Sequence, residues 1–120
     1  DNNQVVKDPK KWDVYAMANV QAPTGDPEYW FTVFAVSNAT KNQGKYHSAK
    51  LDALEQQLSQ EFDPAKRAAL AVQMQQTVLD DNAFVFCSFL KMSMISKKNI
   101  KNYTSHACDY YQVTADLDVE

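Results

Sequence analysis

Hydrophobic and polar positions divide the chain into runs with two different periods. Leu51, Leu54 and Leu58 stand at i, i+3 and i+7 with polar residues between them, which places them on one face of an α-helix. Ser48 precedes the run and is suited to cap it, because its hydroxyl can accept from an otherwise unpaired N–H of the first turn. Leu70, Met74 and Val78 form a second stripe at helical spacing, with alanines filling the intervals. Asp63-Pro64 starts that helix: the carboxylate caps, and the proline sits first, where its missing N–H costs nothing. Asp80-Asp81-Asn82 ends it. Asp26-Pro27 repeats the same signature and predicts a short helix over residues 28–34, with a thick aromatic face of Tyr29, Trp30, Phe31 and Phe34.

Other runs lack the helical period. Residues 12–20 carry Trp12, Val14, Tyr15, Met17 and Val20 and predict a strand. Residues 83–90 are apolar on both faces, as in a strand covered on both sides of its sheet. From Leu90 to Met94 the pattern alternates, so one face turns to solvent there. A last strand is expected over residues 110–113. Residues 1–11 form a polar lead-in, and residues 21–27, with Pro23, Gly25 and Pro27, form a loop. Residues 37–45 predict an exposed polar loop, residues 97–101 a basic turn, and residues 110–120 a tail with an acidic end. The order is β-α-α-α-β-β, a mixed α/β class with helices packed on a sheet. No internal repeat or low-complexity tract is present.

A chain of 120 residues is the size of one ordinary domain with a single core. Apolar residues at 45% and charged residues at 22% argue against disorder. The net charge of −3 argues against a nucleic-acid partner, which calls for a strongly basic face. The longest strongly apolar run, at 83–90, falls far short of the roughly 20 residues that span a bilayer. Two glycines, Gly25 and Gly44, stand alone, so there is no Gly-rich phosphate loop. The chain starts Asp1-Asn2-Asn3 with neither an initiator Met nor a signal-peptide pattern, and is expected to be a piece of something longer. Cys87 and Cys108 form no CxxC motif; burial as thiols is the first expectation, and pairing is open to an exported protein.

Catalytic motifs are absent: no GxSxG elbow, no HExxH, no EF-hand loop, and no nucleophile set beside a base. The chain therefore reads as a non-enzyme. Asp26 and Asp63 read as caps, and Asp80-Asp81 as a solvated helix end. His47 precedes a helix cap in a polar loop and reads as exposed and idle. His106 lies in a stretch of donors and aromatics, residues 103–111, between two strand-like runs, where binding residues often sit. It is the candidate metal ligand, although a protein-only site needs about four ligands and the sequence offers no obvious set. The aromatics Trp12, Tyr15, Tyr29, Trp30, Phe31 and Phe34 read mostly as core, with a minority able to wall a cleft for a small organic ligand. The sequons Asn38-Ala39-Thr40 and Asn102-Tyr103-Thr104 matter only in a glycosylating host.

The order of these motifs resembles that of the family 5 extracellular solute-binding proteins, the receptors of peptide, opine and nickel ABC importers. Trp12-Asp13-Val14 followed by Asp26-Pro27 and an aromatic helix is similar to the family's "WD… DP…F" passage. Residues 46–54, with Tyr46, Ser48, Asp52 and Leu54, resemble its "Y-x-N-x-x-x-D-x-L" helix start, Ser48 standing where Asn is usual. Asp63 to Arg67 looks like the "D-x-x-x-R" opening of the next helix, and Gln75 to Asp81 like its "Q-x-x-L-x-E-D" ending. Residues 83–90 fall where the family has "A-P-x-x-P-L", with both prolines missing. The likeness runs from about Trp12 to Asp118.

Lys91 to Met94 and the ending Asp109-Tyr110-Tyr111 with Asp116-Leu117-Asp118 look most like the nickel or nickel-chelate branch. The resemblance implies a two-lobed receptor, like the type II periplasmic binding proteins, that closes on its ligand by a hinge. This chain would be the C-terminal part, mostly lobe II, with its tail running back toward the hinge and the N-terminal lobe missing. It implies no catalysis and no intrinsic cofactor; the cargo is nickel(II), held as a chelate with a small organic molecule. Asn19, Val20 and Gln21 match the ligand-facing segment, and His106 is at a place compatible with a metal ligand. A histidine that some nickel receptors carry after the "DP" motif has Ala39-Thr40 in its place. The implied partners are the ABC permease subunits, and the implied location is extracellular or periplasmic, with the full-length protein anchored as a lipoprotein. An oligopeptide receptor of the same family is the nearest alternative. From another class, a stand-alone module docking a partner protein through residues 29–34 is the competitor.

Overall fold

A computed structural model describes residues 5–19, 22–23, 25–89, 93, 95–104 and 113–119. The chain divides into two compact units, Asp1–Val85 and Phe86–Glu120. Among the described residues it is a mixed α/β protein of helices and one small antiparallel sheet.

The first unit is helical. α1 (Glu28–Trp30) continues directly into a π-helical stretch, Phe31–Ala35. Asp26 supports the start, its Oδ1 accepting from the Glu28 N–H at 2.9 Å. The widening comes at the other end, where the Val36 N–H reaches the Phe31 carbonyl, five residues back, at 3.0 Å. Thr32 Oγ1 contributes by donating to the carbonyls of Glu28 and Tyr29, which competes with the helical ladder. α2 (Ala49–Leu58) and α3 (Pro64–Asp80) follow as expected from their periods. Ser48 accepts from the Leu51 N–H and Asp63 from the Lys66 N–H, so both side chains cap. α3 stops where Asn82 takes a left-handed backbone (φ 51°) and returns its N–H to the Leu79 carbonyl.

The core of this unit joins the helical stripes. Phe31, Ala35 and Val36 meet Leu51, Leu54 and Leu58 from α2 and Ala71, Met74 and Val78 from α3. Burying each of the larger side chains contributes roughly 1.5–3 kcal/mol. Leu70 is half-buried and packs against this cluster rather than within it.

Three expected features are corrected here. Residues 12–19 form no ladder and are largely exposed; only Trp12 and Asn19 are half-buried. Residues 83–89 are likewise not a strand. Phe84 packs against the helical core, whereas Val85 is 87% and Phe89 88% exposed. A two-sided apolar run becomes a buried strand only where its sheet is covered on both faces, and the exposure of Val85 and Phe89 shows that no such cover lies over them. Cys87, expected buried, is exposed.

In the second unit, β1 (Ile100–Lys101) pairs antiparallel with β2 (Asp118–Val119), Ile100 opposite Val119 and Lys101 opposite Asp118. The strands therefore occupy the expected basic turn and acidic tail, where Lys101 faces an opposite charge. The helices pack on one another, so the expected helix-covered sheet and β-α-α-α-β-β order are not what the described residues form. The strand expected at residues 110–113 lies outside them except for Val113, which is not in a strand. No helix of the described residues is long and apolar enough to cross a membrane.

Candidate functional site

Among the described residues of the helical unit, Arg67, one turn into α3, joins the most segments through polar contacts. Its Nη2 donates to Asp26 Oδ2 at 2.7 Å and to Glu28 Oε2 at 2.8 Å. Its Nη1 donates to the carbonyls of Leu58 and Glu61, both at 2.8 Å. Leu58 is the last residue of α2, so the guanidinium joins the Glu61 N–H in satisfying a carbonyl at the helix end. One planar cation thus fastens the entry to α1, the exit from α2 and the start of α3. The fork geometry of arginine fits this; a lysine ammonium does not. The Glu28 hydrogen bond, opposed by partial desolvation and reinforced by Asp26, holds the Arg67 pKa above its ordinary value.

A second set of contacts folds the loop at 37–45 over the core. Asn42 is buried, its amide donating to the Val36 and Tyr46 carbonyls while its Oδ1 accepts from the Tyr46 N–H at 2.9 Å. This loop was expected to be exposed; Asn42 shows that its polar tip turns inward because all three bonds are made there. The Ser37 N–H is held by Asp52 Oδ1 at 2.9 Å. Tyr46 Oη donates to Asp81 Oδ2 at the far end of α3. Burial, then the hydrogen bond to Asp81, raises the Tyr46 pKa. Phe84 lies edge-on to both Trp30 and Tyr46, and Trp30 stacks on Phe34. Lys41 sits 5.5 Å over the Phe34 ring.

The acidic side chains near Arg67 differ in their state. Asp26 and Glu28 share the guanidinium and Asp52 holds a backbone N–H, but the Glu55 carboxylate makes no hydrogen bond or ion pair among the described residues. Desolvation raises its pKa, and the charges of Glu28 and Asp52 raise it further.

An open cleft runs along the N-terminal segment, with a volume of about 530 Å³. Trp12 and Tyr15 form its aromatic wall, their ring centroids 5.7 Å apart and tilted by 49°.

Of the residues singled out as ligand-facing, Asn19 is half-buried in the segment without ladder bonds. Val20, Gln21 and His106 lie outside the described residues, as does Cys108. His47 is exposed, as expected. Among the described residues no group of three or more His, Cys, Asp or Glu is placed to hold a metal ion. Sequence reasoning located Arg67 only as a motif position; the signal that points to its partners is the pair of Asp-Pro starts flanking a shared helix end. Asn42 had no such signal. No family model, curated protein or solved structure matches the chain.

Proposed function

We propose that the chain is lobe II, in the main, of a family 5 extracellular solute-binding receptor that captures nickel as a small-molecule chelate for an ABC importer. One observation supports this reading above others: the residues that carry the resemblance are the residues that tie the helical unit together. Arg67 of the "D-x-x-x-R" passage reaches Asp26 of the "DP" passage, and Tyr46 reaches Asp81 at the end of the following one. Asp52, from the same passage as Tyr46, holds the Ser37 backbone. A motif order kept for a scaffold reason is expected to join distant segments in this way. Phe31 and Phe34 are buried in the core, so residues 29–34 spend half of their aromatic face internally, which favours the receptor over a module that docks a partner through that helix.

In this reading Asn19, Val20, Gln21 and His106 contribute one wall of the ligand site, and the other lobe contributes the opposite wall. The receptor works outside the cytoplasm, held by a lipid anchor on the full-length protein, and hands its cargo to the permease subunits. Nothing in it calls for catalysis.

Calorimetry tests the reading. The full-length receptor is expected to bind nickel with histidine at submicromolar affinity, and this 120-residue chain not to do so. Submicromolar binding by the chain alone would sink the half-site. Full-length binding of oligopeptides but not of nickel–histidine would move the assignment to the peptide branch. His106→Ala in the full-length receptor is expected to weaken nickel–histidine binding by at least about tenfold; unchanged affinity removes His106 from the site.

A further inference from the structure

We infer that the N-terminal cleft binds a small aromatic carboxylate. The volume of about 530 Å³ falls within the range of small-molecule sites. Val5, Val14, Trp12 and Tyr15 supply an apolar lining, and Lys7 and Gln43 supply the polar groups. Trp12 Nε1 donates to the Val6 carbonyl at 3.3 Å. The polar edge of the indole is thereby occupied, and the ring is oriented by a bond to the backbone rather than by packing alone. Tyr15 stands beside it at an angle, so the two rings form a bent wall on which a flat ring can stack.

Charge decides the rest. Lys7 is the single charged residue among the described residues that line the cleft. Nearby, Lys11 is matched with Asp8 at 3.8 Å, and Asp8 also accepts from the Lys10 N–H. Lys7 has no acidic partner among the described residues. An ammonium beside an apolar wall favours a carboxylate through a charge-assisted hydrogen bond, and the Gln43 amide can donate a second. A neutral ring loses the first contribution, a small aliphatic acid loses the stacking, and a cation is repelled by Lys7. These residues are distinct from Asn19, Val20, Gln21 and His106, so the inference does not rest on the receptor reading.

The test uses the ¹⁵N-labelled 120-residue chain, benzoate as probe, and benzamide and acetate as controls of the same ring and the same charge. The indole N–H signals of Trp12 and Trp30 report separately. Benzoate is expected to shift the Trp12 signal saturably and leave Trp30 in place, with a Kd in the millimolar range, as befits a ligand of about ten heavy atoms. Benzamide and acetate are expected to bind at least about tenfold more weakly. Lys7→Met, at an exposed side chain, is expected to leave the circular dichroism unchanged and to weaken benzoate by a similar factor. The inference is overturned by a Trp12 signal that benzoate does not move, by shifts confined to Trp30, by benzamide binding as well as benzoate, or by Lys7→Met with full affinity.

Discussion

Leu51, Leu58 and Met74 are shut off from solvent between α2 and α3, whereas Phe89 and Ile95, in the second unit, are 88% and 95% exposed. All five are strongly apolar side chains. The difference is that the first three recur at the period of a helix whose opposite face is polar, so folding gives them a partner stripe. Phe89 and Ile95 lie outside any helix or strand, and the strands among the described residues of that unit are two residues each. Strands so short cover almost no apolar area. Hydrophobicity supplies a driving force; a core requires a second surface at the right spacing. On the receptor reading, the exposed apolar residues after Val85 belong against parts of the receptor beyond this chain.

The sharpest way to break that contrast is to truncate one residue from each side of it. Leu51→Ala leaves a cavity between helices and is expected to cost about 2–5 kcal/mol by denaturant unfolding of the 120-residue chain. Phe89→Ala and Ile95→Ala are expected to stay within about 0.5 kcal/mol, as exposed substitutions do. A loss at Phe89 approaching that at Leu51 would mean that the second unit has a core of its own in solution.

Arg67 comes next in expected effect. Arg67→Ala removes at once the donors to two carboxylates and two backbone carbonyls, of which Leu58 keeps the Glu61 N–H, and is expected to lower the thermal midpoint by several degrees, though less than Leu51→Ala. Arg67→Lys is expected to restore little, because an ammonium cannot place two parallel donors on each side. If Arg67→Lys melts with the parent chain, the node is a simple charge contact and its geometry is irrelevant to how the helices are joined.

The same contrast explains what could be read in advance. α2 and α3 were legible because a cap residue and an apolar period agree at Ser48, and a proline joins them at Asp63-Pro64. Residues 12–19 and 83–89 were not, because β-prone composition says only that a strand would suit, and pairing depends on segments elsewhere. β1 and β2 were missed for the converse reason: Lys101 and Asp118 look like solvated ends until they stand opposite each other. In the polar network, Asp26 was legible as a cap but its second oxygen, which receives Arg67, was not. Asn42 was hidden because a polar residue in a polar loop carries no mark of burial. Of the candidate ligand residues, only Asn19 lies within the described part.

The smallest effect probes the acidic surroundings of that node, where the Glu55 carboxylate has no partner among the described residues. Its folded pKa lies above the ordinary glutamate value of 4.5, first through desolvation and then through Glu28 and Asp52. The unfolded chain therefore releases this proton at a lower pH than the folded chain does. Stability falls as pH rises from the ordinary value through the raised one, and above that window the ionised carboxylate is a constant penalty. Glu55→Gln removes the penalty while keeping shape and polarity. The variant is expected to melt a degree or two above the parent at pH 7, partial exposure screening the gain, and the gap is expected to close below about pH 4.5. The substitution changes no other titratable side chain, so the difference between the two proteins isolates Glu55. A gap that persists unchanged at low pH would assign the gain to packing rather than to charge, and Glu55 would then sit in a less crowded electrostatic setting than its neighbours imply.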